Sequence, residues 1–223
     1  VVDVFDDMIT RSVPLYGELL KREAQLSAEY YQPNSLVFDL GCSTGNFGMS
    51  FCREMGSRPF TMIAADNSAP MLNEYEHRLR THSNYKDIEL KCVDIRELDI
   101  VHASVVVINY TLQFITIGDR DRLIKNVFDG LLPGGILLLS EKTVHDDRDF
   151  TELQQTYYYR FKKENGYSEL EISQKREALE NVLIPETLST HLGRLKKAGF
   201  SRIDPFLKWF NFVSILCRKD DTS

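Results

Sequence analysis

The 223 residues suit a single domain, residues 1–223, with room for an inserted element, and 43% hydrophobic content permits a sizeable core. A net charge of −6 argues against a strong direct grip on nucleic acid. No run is long and apolar enough to span a membrane and no signal peptide is visible, so we expect a cytoplasmic protein with no membrane partner.

Residues 1–31 read as an N-terminal helical cap. Met8, Ile9 and Val13 precede Pro14, and Leu15, Leu19, Leu20 and Leu26 follow it, so Pro14 is expected to separate two helices. Tyr16, just past that break, either packs as an amphipathic aromatic or hydrogen-bonds a ligand through its hydroxyl. Leu36-Val37-Phe38 is a buried strand ending in Asp39. A tight turn with small residues at Gly41, Ser43 and Gly45 leads into a helix that runs to about Met55 and stops near Gly56. Such a turn lets backbone approach a ligand and offers free N–H groups at the helix start. Its spacing is not GxGxxG, and an ordinary strand-to-helix turn fits it too.

Phe60 to Ala65 is a second strand ending in Asp66, where a carboxylate can accept both ribose hydroxyls of an adenosine or simply cap the helix opened by Asn67-Ser68-Ala69-Pro70. Met71, Leu72, Tyr75 and Leu79 give that helix its core face. Ile88 to Val93 is a third strand followed by Asp94-Ile95, with Asp94 either an adenine contact or a solvated turn carboxylate. Ser104 to Ile108 is a fourth strand ending in Asn109, at the sheet edge where ligand-facing groups stand. A helix from Gly118 to Asp129, the turn Leu132-Pro133-Gly134-Gly135 and a fifth strand Ile136 to Ser140 follow.

Residues 144–184 break the alternation with a polar, aromatic, largely helical stretch, read as an inserted lid or dimer element. A helix from Pro185 to Lys197, a stop at Gly199 and two strands between Phe200 and Lys219 complete the chain, the two strands forming an antiparallel hairpin at the sheet edge. The pattern is α/β and doubly wound: a Rossmann-like, seven-stranded, mostly parallel sheet with an antiparallel C-terminal strand and a helical insertion after strand 5. Cys42, Cys52, Cys92 and Cys217 show no metal-ligand spacing; free thiols are expected, buried at Cys42, Cys52 and Cys92, and no metal.

Asp39-Leu40-Gly41, Asp66, Asp94, Leu132 to Gly135 and the terminal strand pair together resemble the S-adenosylmethionine-dependent methyltransferase fold. A closer likeness lies in Phe5 to Ile9 (FDDMI), Arg11 to Pro14 (RSVP), Asp39 to Ser43 (DLGCS), Asp66-Asn67-Ser68, Asn109 to Phe114 (NYTLQF), Ser140-Glu141-Lys142 and Asn165 to Arg176 (NGYSELEISQKR). These resemble the bacterial carboxy-S-adenosylmethionine synthases over nearly the whole chain.

The resemblance implies an enzyme that converts S-adenosyl-L-methionine and prephenate to carboxy-S-adenosyl-L-methionine and phenylpyruvate. It implies a homodimer whose product feeds a separate tRNA carboxymethyltransferase acting on a wobble uridine, with no direct contact to nucleic acid. It places Tyr16 and the backbone of Gly41, Cys42 and Ser43 against the ligand, Asp66 and Asn67 at the ribose, Asp94 and Ile95 at the adenine, and Asn109 near the sulfonium. Arg176 is the catalytic candidate, its guanidinium taking the new carboxylate, although on residue type alone Lys175-Arg176-Glu177 is a solvated face. No general base is obvious. His77, His82, His102, His145 and His191 fall away from the expected pocket, Glu141 either points into the site or is a strand-end charge, and hydroxide released from prephenate can serve. An ordinary small-molecule methyltransferase and a non-catalytic nucleotide-binding module share the cofactor residues.

Overall fold

Five apolar runs build the parallel part of the sheet: β1 (Leu36–Leu40), β2 (Met62–Asp66), β3 (Ile88–Cys92), β4 (Ala103–Asn109) and β5 (Leu131–Val144). The computed structural model describes residues 3–81, 87–179 and 182–221, with the side chains of residues 3–6, 175, 176, 178 and 179 outside that description. Between the strands run α3 (Asn46–Met55), α4 (Ala69–Leu79) and α5 (Ile117–Gly130); α1 (Asp3–Ser12) and α2 (Tyr16–Tyr30) precede them. The strand order is β3-β2-β1-β4-β5-β8-β7, where β7 (Arg202–Trp209) and β8 (Phe212–Arg218) form the expected terminal hairpin. β8 runs antiparallel to β5, with Leu138 opposite Leu216.

Strands buried on both faces need no polar alternation, and every residue from Ala103 to Ile108 is buried. Period-two geometry divides them into two cores. Phe38, Val106, Ile108, Leu137 and Leu139 pack with Leu123, Ile124 and Val127 of α5 and with Leu195 of α8 (Leu188–Ala198). Val37, Val105, Val107, Ile136 and Leu138 pack on the other face with Phe51, Met55, Leu72 and Tyr75 of α3 and α4.

The break at Pro14 falls as expected: α1 ends at Ser12, and Leu15 takes a left-handed φ of 58° before α2 starts. The helices expected within 144–184 are α6 (Arg148–Glu164) and α7 (Glu169–Leu179). Some boundaries and one burial differ. β5 starts at Leu131, pairing with Ala103, and Pro133-Gly134-Gly135 forms an irregularity inside the strand instead of a turn before it. The last helix starts at Leu188 because Glu186-Thr187 pairs with Thr143-Val144 as a short β6 and the Thr187 side chain caps the Thr190 N–H. Cys92 is exposed, not buried, because it ends the edge strand β3; Cys42, Cys52 and Cys217 are buried free thiols.

An aromatic chain links the β7–β8 turn to α6. Trp209 lies 4.9 Å from Phe210 and 5.3 Å from Phe161, ring centre to ring centre, and Phe212 lies 5.1 Å from Tyr158.

Candidate active site

The carboxyl ends of β3, β2, β1 and β4 bring Asp94, Asp66, Asp39 and Asn109 to one edge, where a cavity of about 670 Å3 opens beneath α1 and α2. Tyr16, Gly41, Cys42, Ser43, Asp66, Asn67, Asp94, Ile95 and Asn109 all line it. Arg176 is on α7 and its side chain lies outside the described residues.

Local chemistry sets each position. Gly41 has φ +81°, and a Cβ there would stand 2.8 Å from Thr111 Cβ, so only glycine lets the β1 turn pass under the β4 turn. Ser43 also takes a left-handed φ, of 50°. Its N–H donates to Asp66 Oδ2 at 2.9 Å, and the Ser68 N–H donates to Asp66 Oδ1 at 2.8 Å. Asp66 is thus fixed by backbone while each oxygen keeps a lone pair for a ligand. The Tyr16 hydroxyl accepts from Asn46 Nδ2 at 3.3 Å, which ties α2 to the start of α3. Asp94 accepts from the Arg96 guanidinium at 2.6 Å, and that hydrogen bond holds its carboxyl below the usual range.

Behind this wall lies buried acid. Glu23 accepts from Asn109 Nδ2 at 2.7 Å and from Ser140 Oγ at 2.9 Å; burial pushes its carboxyl up to about 7. Burial, with Glu23 and Asp66 nearby, also raises Asp39. Asp39 Oδ2, Asn109 Oδ1 and Ser43 Oγ are buried and lack hydrogen-bond partners among the described residues. Unmet acceptors in a buried wall are costly, and a ligand carrying donors and positive charge relieves them.

Glu141 does not reach the cavity. It accepts from the Leu112 N–H at 2.9 Å and the Gln113 N–H at 3.1 Å and so holds the turn after β4; burial raises it to about 8. His77, His102, His145 and His191 do not line the cavity, and His82 lies outside the described residues. Of the three consecutive tyrosines, Tyr158 lines the cavity, Tyr157 stacks on Phe210, and Tyr159 bonds Gln155. Sequence reasoning missed Tyr110, Thr111 and Gln113, although they sit in the NYTLQF motif, and Lys162, which carried no local signal.

A family model for a methyltransferase domain matches residues 37–135. An O-methyltransferase family protein from Burkholderia thailandensis superposes with a TM-score of 0.72 at 16% identity, covering 100% of this chain and 60% of that one, which establishes the fold alone. The carboxy-S-adenosyl-L-methionine synthase of Desulforapulum autotrophicum is 51% identical over 221 residues, 99% of this chain and 90% of the relative. The chain belongs to the carboxy-S-adenosyl-L-methionine synthase family. The synthase of Shewanella woodyi is 45% identical over 98% of this chain and 90% of its own. The chain is therefore a transferase, with S-adenosyl-L-methionine as substrate and carboxy-S-adenosyl-L-methionine as product. The cavity fits a synthase substrate of this kind. Its unmet oxygens can each accept, the Ser43 hydroxyl also donating, and its buried acids complement a sulfonium and an ammonium group. Among the described residues, no cluster of three or more His, Cys, Asp or Glu side chains could hold a metal ion, and no helix is long and apolar enough to cross a membrane.

Proposed function

We propose that this synthase takes its carboxylate from prephenate. The observation that carries the reading is the family match over 99% of the chain together with one cavity lined by nine of the ten residues the resemblance singles out. In the overall change, prephenate loses carbon dioxide and its ring hydroxide to give phenylpyruvate. The sulfonium methyl loses one proton and bonds the carbon dioxide carbon, and the proton and hydroxide leave as water.

The chain's own groups position and desolvate. Asp66 and Asn67 hold the ribose, and Asp94 and Ile95 border the adenine. Tyr16, the Gly41–Ser43 backbone and Asn109 surround the sulfonium end. Arg176 takes the new carboxylate. Neither Glu141 nor any described histidine lines the cavity, which supports the expelled hydroxide as the proton acceptor. The helices within 144–184 act as a lid and dimer element; exposed Phe150, Leu153 and Tyr157 on α6 and Leu170 on α7 support a homodimer. The protein works in the cytoplasm as a single domain with residues 1–31 as its cap, and supplies a tRNA carboxymethyltransferase without touching RNA itself.

The test is mass spectrometry of the nucleoside released after incubation with S-adenosyl-L-methionine and prephenate. A species heavier by one carbon dioxide, with phenylpyruvate formed in step, is expected. Unmodified S-adenosyl-L-methionine with intact prephenate refutes the reading.

A further inference from the structure

The strand order lays the cavity out as a sequence of subsites. Asp94 follows β3, Asp66 ends β2, Asp39 is in β1 and Asn109 ends β4. The next strand is β5, where Ser140 pairs with Asn109 and Lys142 stands two residues further on. Two residues along a strand is the same face. Lys142 thus lies one strand beyond the residue assigned to the sulfonium end, on the side away from the adenine.

There the charge reverses. Lys142 Nζ lies 4.7 Å from the centre of the Tyr158 ring, and Lys162 Nζ, from α6, lies 4.6 Å from the same ring and 5.7 Å from that of Tyr167. Tyr158 and Lys162 line the cavity, and Lys162 is only 6% exposed. Lys142 forms no ion pair with a carboxylate among the described residues, and burial lowers its ammonium below the usual range. The nearest acid in sequence, Glu141, is turned to the other face and committed to the Leu112 and Gln113 N–H groups. A cation over an aromatic face gains about 0.5–2 kcal/mol, whereas withdrawing an ion from water costs several. An ammonium group with no carboxylate pair among the described residues, sharing its ring at the cavity wall with a second lysine, is therefore an arrangement that an anion completes.

We propose that Lys142 and Lys162, with the Tyr158 ring they share, form the subsite for a carboxylate of the second substrate. This rests on the prephenate reading. Of the two carboxylates on that molecule, the subsite takes the one retained in the product. A cation fixed on the departing carboxylate would stabilise its charge and oppose loss of carbon dioxide, whereas a cation on the retained side-chain carboxylate orients the ring without that penalty.

Steady-state kinetics of purified full-length Lys142→Met and Lys162→Met, which keep the apolar stems against Tyr158, test this. The KM for prephenate is expected to rise about tenfold to a hundredfold in each, the loss of one charge-assisted contact. The dissociation constant for S-adenosyl-L-methionine and the ratio of affinities for product and substrate nucleosides are expected to stay as in wild type. Unchanged KM values in both variants, with wild type turning over prephenate, overturn the subsite and leave the prephenate reading intact. A selective loss of affinity for carboxy-S-adenosyl-L-methionine assigns the lysines to the new carboxylate and overturns it as well. Wild-type enzyme that forms no product from prephenate removes both readings together. If Lys162→Met fails to bind S-adenosyl-L-methionine, Lys142→Met with product inhibition by phenylpyruvate decides.

Discussion

Glu23→Gln exchanges a buried carboxyl for an amide of nearly the same shape. Glu23 is 0% exposed; burial raises its carboxyl from 4.5 to about 7, against the hydrogen bonds from Asn109 and Ser140 that pull it down. A carboxyl raised in the folded state binds more protons folded than unfolded. Its stabilising share is complete below about pH 4.5 and is lost as the pH climbs through about 7. A rise of that size corresponds to about 3 kcal/mol, on the order of a third of a domain's stability. The amide can still accept from Asn109 and donate to Ser140 Oγ, whose own proton can turn to Ser214 Oγ at 2.8 Å. Glu23→Gln should therefore exceed wild type by about 3 kcal/mol at pH 8, narrowing to under about 1 kcal/mol at pH 5. His191 titrates in the opposite sense: burial lowers it to about 4, so its share is present above 6.5 and lost as the pH falls. It is common to both proteins and cancels in the difference. Urea unfolding at a series of pH values, without ligand, measures the gap. A gap that does not change with pH refutes the argument, because Glu23 would then be equally ionised folded and unfolded.

Gly41→Ala must strain a left-handed backbone and push into Thr111; a loss of about 2–4 kcal/mol in stability and a weakened affinity for S-adenosyl-L-methionine should appear in melting and titration calorimetry. Arg120 is fully buried, pairs with Glu186 at 2.6 Å and donates to the Gln113, Ile115 and Ile184 carbonyls; Arg120→Met should cost about 3–5 kcal/mol by denaturation, with Gln113 at the cavity wall released as well. Leu153→Asp on the exposed face of α6 tests the proposed homodimer: a shift to monomer in sedimentation is expected, and an unchanged sedimentation coefficient removes α6 from the proposed interface.

The elements that the sequence made legible are those whose residues answer to one constraint. Val37, Phe38 and Ser104 to Ile108 are buried on both faces, so the strands read as unbroken apolar runs and their ends fix Asp39, Asp66, Asp94 and Asn109 at one edge. Gly41 and Asp66 were legible together because the turn and the carboxylate meet through the Ser43 N–H. Lys142 and Lys162 were not. Each reads alone as a surface cation, and only the strand order and the packing of α6 bring both to Tyr158. Glu23 was hidden likewise: its partners are 86 and 117 residues away, and a glutamate in a helix rich in Glu, Lys and Arg reads as solvated. The helix start expected at Pro185 passed over Thr187, which serves here both as strand residue and as cap.

The aromatic chain between the β7–β8 turn and α6 gives the molecule an optical handle. Trp209 is the chain's single tryptophan, half-buried against Phe161 of α6, and the next rings in line, Phe212 and Tyr158, end at the cavity wall. Its fluorescence therefore senses the seating of α6 on the hairpin. Emission recorded while substrates are added tracks that seating, and comparison with far-ultraviolet dichroism on heating separates the release of α6 from the loss of the sheet.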